Sequence, residues 1–279
     1  MKVLLAGVRG TATAADRAHA EFGGDTTCFL IRGQDGAALV VDGGSGLRSV
    51  EAELRQPGNV KRALILMTHY HLDHLIGLPP CTLLYKRDWS IEIASPPREG
   101  RAPGDVIPRL FEQPFWPVPF AQAGSAVRFT TLPEQPAAPH SYGGLQYRWC
   151  AVHHPGGCTA YRFDEPATGR SAVIATDIEW GASSSEEQSA FERLCAEPRP
   201  PDLLIWDGQY TPAEYERHRG WGHSRWTDGV DVARRVGAAQ LVIVHHTPER
   251  SDGALAAIEG KVRAAMPRAA LGRQGSVWE

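Results

Sequence analysis

The sequence predicts an α+β fold, and three observations carry the prediction. Short runs rich in Val, Ile and Leu recur at strand length, stretches of helical period lie between some of them, and twelve of the 21 prolines crowd between Pro79 and Pro139. With 279 residues, 42% of them hydrophobic, the chain is long enough to bury a full core. It reads as a single domain over 1–279 with a Pro-rich insertion at about 79–140.

The opening "MKVLLAGVRG" has one lysine and an apolar stretch that stops at Arg9 and Gly10. It is too short for a signal-peptide core and lacks a small-residue cleavage site, so it reads as a first strand. "TTCFLIR", "AALVVD" and "RALILMTH" follow as strands, then, beyond the Pro-rich segment, "LQYRWCAVHH", "SAVIATD", "DLLIWD" and "QLVIVHH". Helices are expected at "SSEEQSAFERLCAE", capped within Ser183 to Ser185, at "TDGVDVARRVGA", with Thr227 as its cap, and at "DGALAAIEGKVRAAM". Proline density between 79 and 139 excludes long helices and central strands there. The aromatic residues of that segment, Trp89, Phe111, Phe115, Trp116 and Phe120, are too apolar for a disordered connector. The segment is therefore expected to fold over a surface and to border a pocket.

No apolar run approaches the roughly 20 residues of a membrane span. The formal charge of −3, from 29 basic and 32 acidic residues, gives no general attraction to nucleic acid or to an anionic membrane. Lys261, Arg263, Arg268 and Arg273 read as a solvated helix face. Five cysteines, odd in number and without a CxxC pair, argue against a disulfide framework. A soluble, cytoplasmic protein is expected.

The informative pattern lies at the strand ends. "RALILMTH" stops at His69, "LQYRWCAVHH" at His153 and His154, "SAVIATD" at Asp177, and "QLVIVHH" at His245 and His246. Strands laid side by side would gather these ends on one rim. In "HYHLDH", His69, His71 and Asp73 share one parity in an extended loop, while His74 projects differently, so one loop can serve two cations. Asp177 would bridge them. One of His153 and His154, and one of His245 and His246, would complete the ligand set. Asp42, in "VVDGGSGL", is either a turn former or a support beneath the metal loop. Trp206, Trp221 and Trp226 read as core or as stacking partners for a substrate ring. Imidazole and carboxylate ligands suit zinc first and also manganese or iron, and without a thiolate they leave room for water.

"HYHLDH" resembles the H-x-H-x-D-H signature of the metallo-β-lactamase superfamily, and "HHPGGCTAYRF", "IATD" and "VIVHHTPE" follow in that superfamily's order. The resemblance covers nearly the whole chain and implies a four-layer αββα sandwich. It also favours His154, by the H-P-G-G match, and His245, by family position. The implied ligands are His69, His71 and His154 for one ion and Asp73, His74 and His245 for the other, with Asp177 between them. "GWGHS" resembles the histidine-serine motif of ribonuclease Z and related phosphodiesterases, which implies His223 as general acid and Asp207 as its partner. Asp73 is expected to belong to the catalytic set as well as the ligand set. The sequence departs from ribonuclease Z between His154 and Asp177, where 22 residues leave no room for a long arm gripping transfer RNA.

The implied chemistry is metal-dependent hydrolysis. Two cations lower the pKa of a shared water from about 16 towards roughly 7 and neutralise a phosphoryl oxygen, while His223 would protonate the leaving oxygen. A phosphodiester needs all three contributions, so a small or cyclic phosphodiester is the expected substrate. A thioester or lactone hydrolase and a non-catalytic metal-binding module are the alternatives. A small-molecule partner is expected, with transfer RNA and membranes set aside and a homodimer compatible.

Overall fold

The computed structural model describes residues 1–279. Two seven-stranded mixed sheets face each other. The first contains β1 (Lys2–Gly7), β2 (Cys28–Arg32), β3 (Ala38–Val41), β4 (Arg62–Leu66), β5 (Ser90–Ser95), β6 (Ala126–Thr131) and β14 (Val277–Trp278), in the order β14-β1-β2-β3-β4-β5-β6. The second contains β7 (His140–Tyr142), β8 (Leu145–Val152), β9 (Cys158–Glu165), β10 (Arg170–Ala175), β11 (Leu203–Asp207), β12 (Gln240–Val244) and β13 (Ala269–Leu271), ordered β13-β12-β11-β10-β9-β8-β7. Helix α1 (Leu47–Leu54) covers the outer face of the first sheet; α2 (Pro103–Val106) and α4 (Pro212–Tyr215) are single turns. α3 (Ser185–Ala196), α5 (Trp226–Arg235) and α6 (Asp252–Ala265) cover the second.

Strand alternation separates three apolar layers. In β10, Ala172 and Ile174 join the core between the sheets, whereas Val173 and Ala175 pack under the helices; in β3, Leu39 and Val41 face inward while Ala38 and Val40 face α1. Each fully buried Leu, Ile or Val contributes about 1.5–3 kcal/mol, and a one-residue slip would turn every such residue to the wrong layer. The result is the αββα sandwich that the resemblance implied.

The Pro-rich segment departs from the expectation. It supplies β5 and β6, which extend the first sheet in parallel, so β5 lies inside the sheet rather than at an edge. All twelve prolines stand outside these strands, and Pro96 and Pro97 after β5 and Pro133 after β6 lie just past their ends. Helix α5 also differs. Arg225, not Thr227, is its N-cap residue, because the Asp228 carboxylate reaches back to accept from the Arg225 N–H at 3.0 Å. Helix α3 is capped by Ser184, within the expected trio. At the C-terminus, Lys261, Arg263 and Arg268 are exposed as expected, and Arg263 and Arg273 also pair with Glu259.

Strands β3, β4 and β5 run parallel, as do β10, β11 and β12, and β8 shares the direction of β10 through two antiparallel steps. Their C-terminal ends therefore meet at one rim. That rim carries Asp42, His69, His154, Asp177, Asp207 and His245.

Candidate metal centre and active site

The strands β4, β8, β10 and β12 end one to three residues before the residues they deliver, His69, His154, Asp177 and His245, and the turn sets the aim. His69 follows the end of β4 and is buried; His71, extended at φ −68° and ψ 150°, precedes a 3-10 turn over Leu72–His74. The His69 and His71 ring centroids lie 4.4 Å apart, and those of His69 and His74 4.3 Å. Asp73 lies within that turn, its Oδ2 accepting the Thr11 N–H at 2.8 Å.

Seven predicted ligand-type residues converge. One ligand atom from each of His69, His71, His154 and Asp177 can be chosen so that all four lie within 4.8 Å of one another, and the same holds for Asp73, His74 and His245. The Asp177 carboxylate divides between the groups. Its Oδ2 lies 3.6 Å from His69 Nε2 and 3.8 Å from His154 Nε2, whereas its Oδ1 lies 3.1 Å from His74 Nε2 and 3.2 Å from His245 Nδ1. Asp177 and His245 both adopt positive φ, 53° and 64°, which costs a non-glycine residue about 1–3 kcal/mol.

The ring orientations are fixed from behind. Asp42, buried at φ 62°, accepts from His74 Nδ1 at 2.8 Å, from the Thr68 N–H at 2.8 Å and from the Thr68 hydroxyl at 2.9 Å. It is thus a support under the metal loop rather than only a turn former. His154 Nδ1 donates to the Gly222 carbonyl at 2.8 Å. Both contacts leave Nε2 facing the cluster. Glycine is required at 10 and 222: a Cβ would come within 2.3 Å of the His245 ring at the first and 2.2 Å of His154 Nδ1 at the second.

Neighbouring histidines fall outside. His153 is 41% exposed in its side chain and faces Glu187 at 3.5 Å. His246 is buried against Phe22 with Nε2 3.0 Å from the Gly272 carbonyl, and burial pushes its pKa down to about 3. His223 adjoins the cluster, its ring stacked 4.7 Å from that of His245 and 5.4 Å from that of His154. Its Nδ1 is 2.9 Å from Asp207 Oδ2. Burial disfavours the imidazolium, but the Asp207 carboxylate, its hydrogen bond, Asp177 and Asp73 outweigh it, so the pKa is raised. Among the tryptophans, Trp206 is fully buried in the core, Trp226 is packed against it, and Trp221 is exposed.

The cluster fits a cation on its own chemistry. His69 Nε2, His74 Nε2, His245 Nε2 and Asp177 Oδ1 are buried and have no hydrogen-bond partner. Each such orphan costs about 1–3 kcal/mol, and orphans in both ligand groups call for positive charge at each.

Sequence reasoning passed over several supporting residues. Glu179, fully buried, accepts from three donors of the segment ahead of His223; Arg98 donates to the Thr68 carbonyl and the Thr159 hydroxyl, joining the Pro-rich segment to the metal loop. Arg98 and Arg101 also line a cavity of about 390 Å³ beside His69 and His71. Their positions in an unpatterned stretch carried no sequence signal.

A family model described as the beta-lactamase superfamily domain matches residues 38–246. Among solved structures, the metallo-beta-lactamase fold protein YhfI from Bacillus subtilis aligns at TM-score 0.70 with 18% identity, covering 100% of this chain and 99% of that one. The short form of human tRNase Z aligns at TM-score 0.67 and 20% identity, covering 100% and 99%. Yeast PDE1 aligns at TM-score 0.71 and 16% identity, covering 99% and 98%. No curated protein sequence matches the chain.

Proposed function

The chain belongs to the beta-lactamase superfamily, and on that premise we propose that it is a hydrolase with a dinuclear metal site, acting as a phosphodiesterase on small or cyclic phosphodiesters. His69, His71 and His154 would hold one divalent cation, Asp73, His74 and His245 the other, with one Asp177 oxygen for each. Zinc suits the nitrogen-rich donor set best, with manganese or iron as substitutes. When bound, the pair supplies charge neutralisation for a phosphoryl oxygen and acidity to a water.

One observation carries the phosphodiesterase reading. His223 is buried beside the cluster with Nδ1 2.9 Å from Asp207 Oδ2, a carboxylate that favours the protonated ring and leaves the other nitrogen to donate. Such an acid matters for an alkoxide leaving group and much less for a thiolate, and general acids contribute about 10²–10⁴-fold. The adjoining cavity, walled by Arg98 and Arg101, suits a small anion. The span between His154 and Asp177 is consumed by β9, β10 and their turn, which supports a small substrate over transfer RNA. Five free, buried cysteines support a reducing, cytoplasmic setting.

The test is hydrolysis of diphenyl phosphate, whose phenolate departs poorly without a proton, with and without metal, in the parent and in His223→Ala, alongside elemental analysis. Metal-dependent turnover that falls at least about 100-fold in the variant, with metal content retained, is expected. Undiminished turnover removes the acid role; loss of metal would make His223 a ligand instead.

A further inference from the structure

We infer that Glu179 is a positioning residue for proton delivery, holding the loop that places both His223 and His154; the inference rests on the reading of His223 as general acid. The Glu179 side chain is fully buried two residues beyond Asp177. Its Oε1 accepts from the Tyr215 hydroxyl at 2.9 Å and the Gly220 N–H at 2.7 Å, and its Oε2 accepts from the Gly222 N–H at 2.8 Å. All three donors lie in the segment leading into His223. A buried carboxylate with three donors fixes a glycine-containing loop that has few other restraints.

The grip acts at Gly222. That residue gives its N–H to Glu179 and its carbonyl to His154 Nδ1, and it precedes His223. Its φ of 91° and its contact with His154 exclude any other side chain there. The backbone around Glu179 closes the same circuit. The Ile178 N–H donates to Asp207 Oδ2, the oxygen that also meets His223 Nδ1; the Trp180 N–H donates to Ser224 Oγ at 3.0 Å; and the Ser224 hydroxyl donates to the Ile178 carbonyl. Residues 177–180 thus join Asp177, which divides its carboxylate between the two ligand groups, to the loop that carries the acid.

Glu179→Gln is nearly isosteric, yet one amide oxygen cannot serve both ends. Its NH2 must face either the Gly222 N–H or the Tyr215 and Gly220 donors. A displaced acid hurts poor leaving groups most. The metal-loaded parent, Glu179→Gln, Tyr215→Phe and His223→Ala are therefore compared on bis(p-nitrophenyl) phosphate and on diphenyl phosphate, whose phenol leaves less readily. Glu179→Gln is expected to lose about tenfold more kcat/KM on diphenyl phosphate than on the activated ester, in the same direction as His223→Ala. Tyr215→Phe, which keeps both amide contacts, is expected to show the same bias to a smaller degree. In metal-free protein, the Gly220 and Gly222 amides should exchange with solvent at least tenfold faster in Glu179→Gln. Equal losses on both esters in Glu179→Gln, with a leaving-group bias intact in His223→Ala, overturn the positioning role alone. Absence of that bias in His223→Ala overturns the acid reading and this inference with it.

Discussion

Asp42→Asn separates side-chain chemistry from backbone strain. Asp42 sits at φ 62°, a conformation asparagine tolerates nearly as well as aspartate, so the substitution leaves the backbone in place. What changes is acceptor capacity. Oδ2 serves His74 Nδ1 and the Thr68 hydroxyl, and Oδ1 serves the Thr68 N–H, at 2.8–2.9 Å. One amide oxygen can cover only one side, and the NH2 then confronts a donor on the other. An orphaned buried donor costs about 1–3 kcal/mol, so the metal-free variant should unfold about 2 kcal/mol more easily in urea at unchanged m. The amide can also relieve the conflict by donating to His74 Nδ1, which moves the ring proton to Nε2, the atom that faces Asp73 and Asp177. Cation affinity should then fall about 10- to 100-fold, selectively for the group containing His74. Chelator competition would read this as one weakened and one preserved equivalent. Parent-like affinity at both equivalents, with an unchanged urea midpoint, would refute the assignment of Asp42 as the support that sets the His74 ring.

Two further predictions concern pH. Asp207 raises the His223 pKa against burial, so His223 stays protonated to higher pH than an ordinary histidine and the alkaline limb of kcat/KM reflects its loss; Asp207→Asn should move that limb to lower pH and reduce the plateau about 10- to 100-fold. An unmoved limb would detach it from His223. Glu259 is drawn from 4.5 to about 2, first by its hydrogen bond from Arg273, against burial, with help from the Leu271 N–H and Arg263. A carboxylate with a depressed folded pKa stabilises above its unfolded value and loses that contribution as pH falls through the folded one. Glu259→Gln should therefore be less stable by about 1 kcal/mol above pH 4.5, the partial exposure of its partners limiting the effect, and the gap should close towards pH 2. A gap that persists to pH 2 would show that the loss is packing rather than charge.

The residues that point into the centre were legible because two local properties coincide in them: a ligand-type side chain and a place just after an apolar run. His69, Asp177 and His245 needed nothing more, and the gap of one to three residues between strand end and ligand did not obscure them. The strands that went unread failed for equally local reasons. β9 hides its strand character behind Arg162, which is fully buried but satisfied by Asp164 and by carbonyls of α3, and β5 is masked by prolines that mark its ends rather than its absence. What no local pattern could carry is the aim of each ring. His74 is set by Asp42 across 32 positions and His154 by Gly222 across 68, while the positive φ values at Asp42, Asp177 and His245 arise only once the sheets have brought their ends together. Asp207 was reachable only through a resemblance, and Glu179 not at all, since its three donors become neighbours only in the folded chain. Side-chain type thus writes the ligands into the sequence, whereas their orientation is a property of the assembled rim. It follows that substitutions at the supports should alter affinity and leaving-group dependence while leaving every ligand in place.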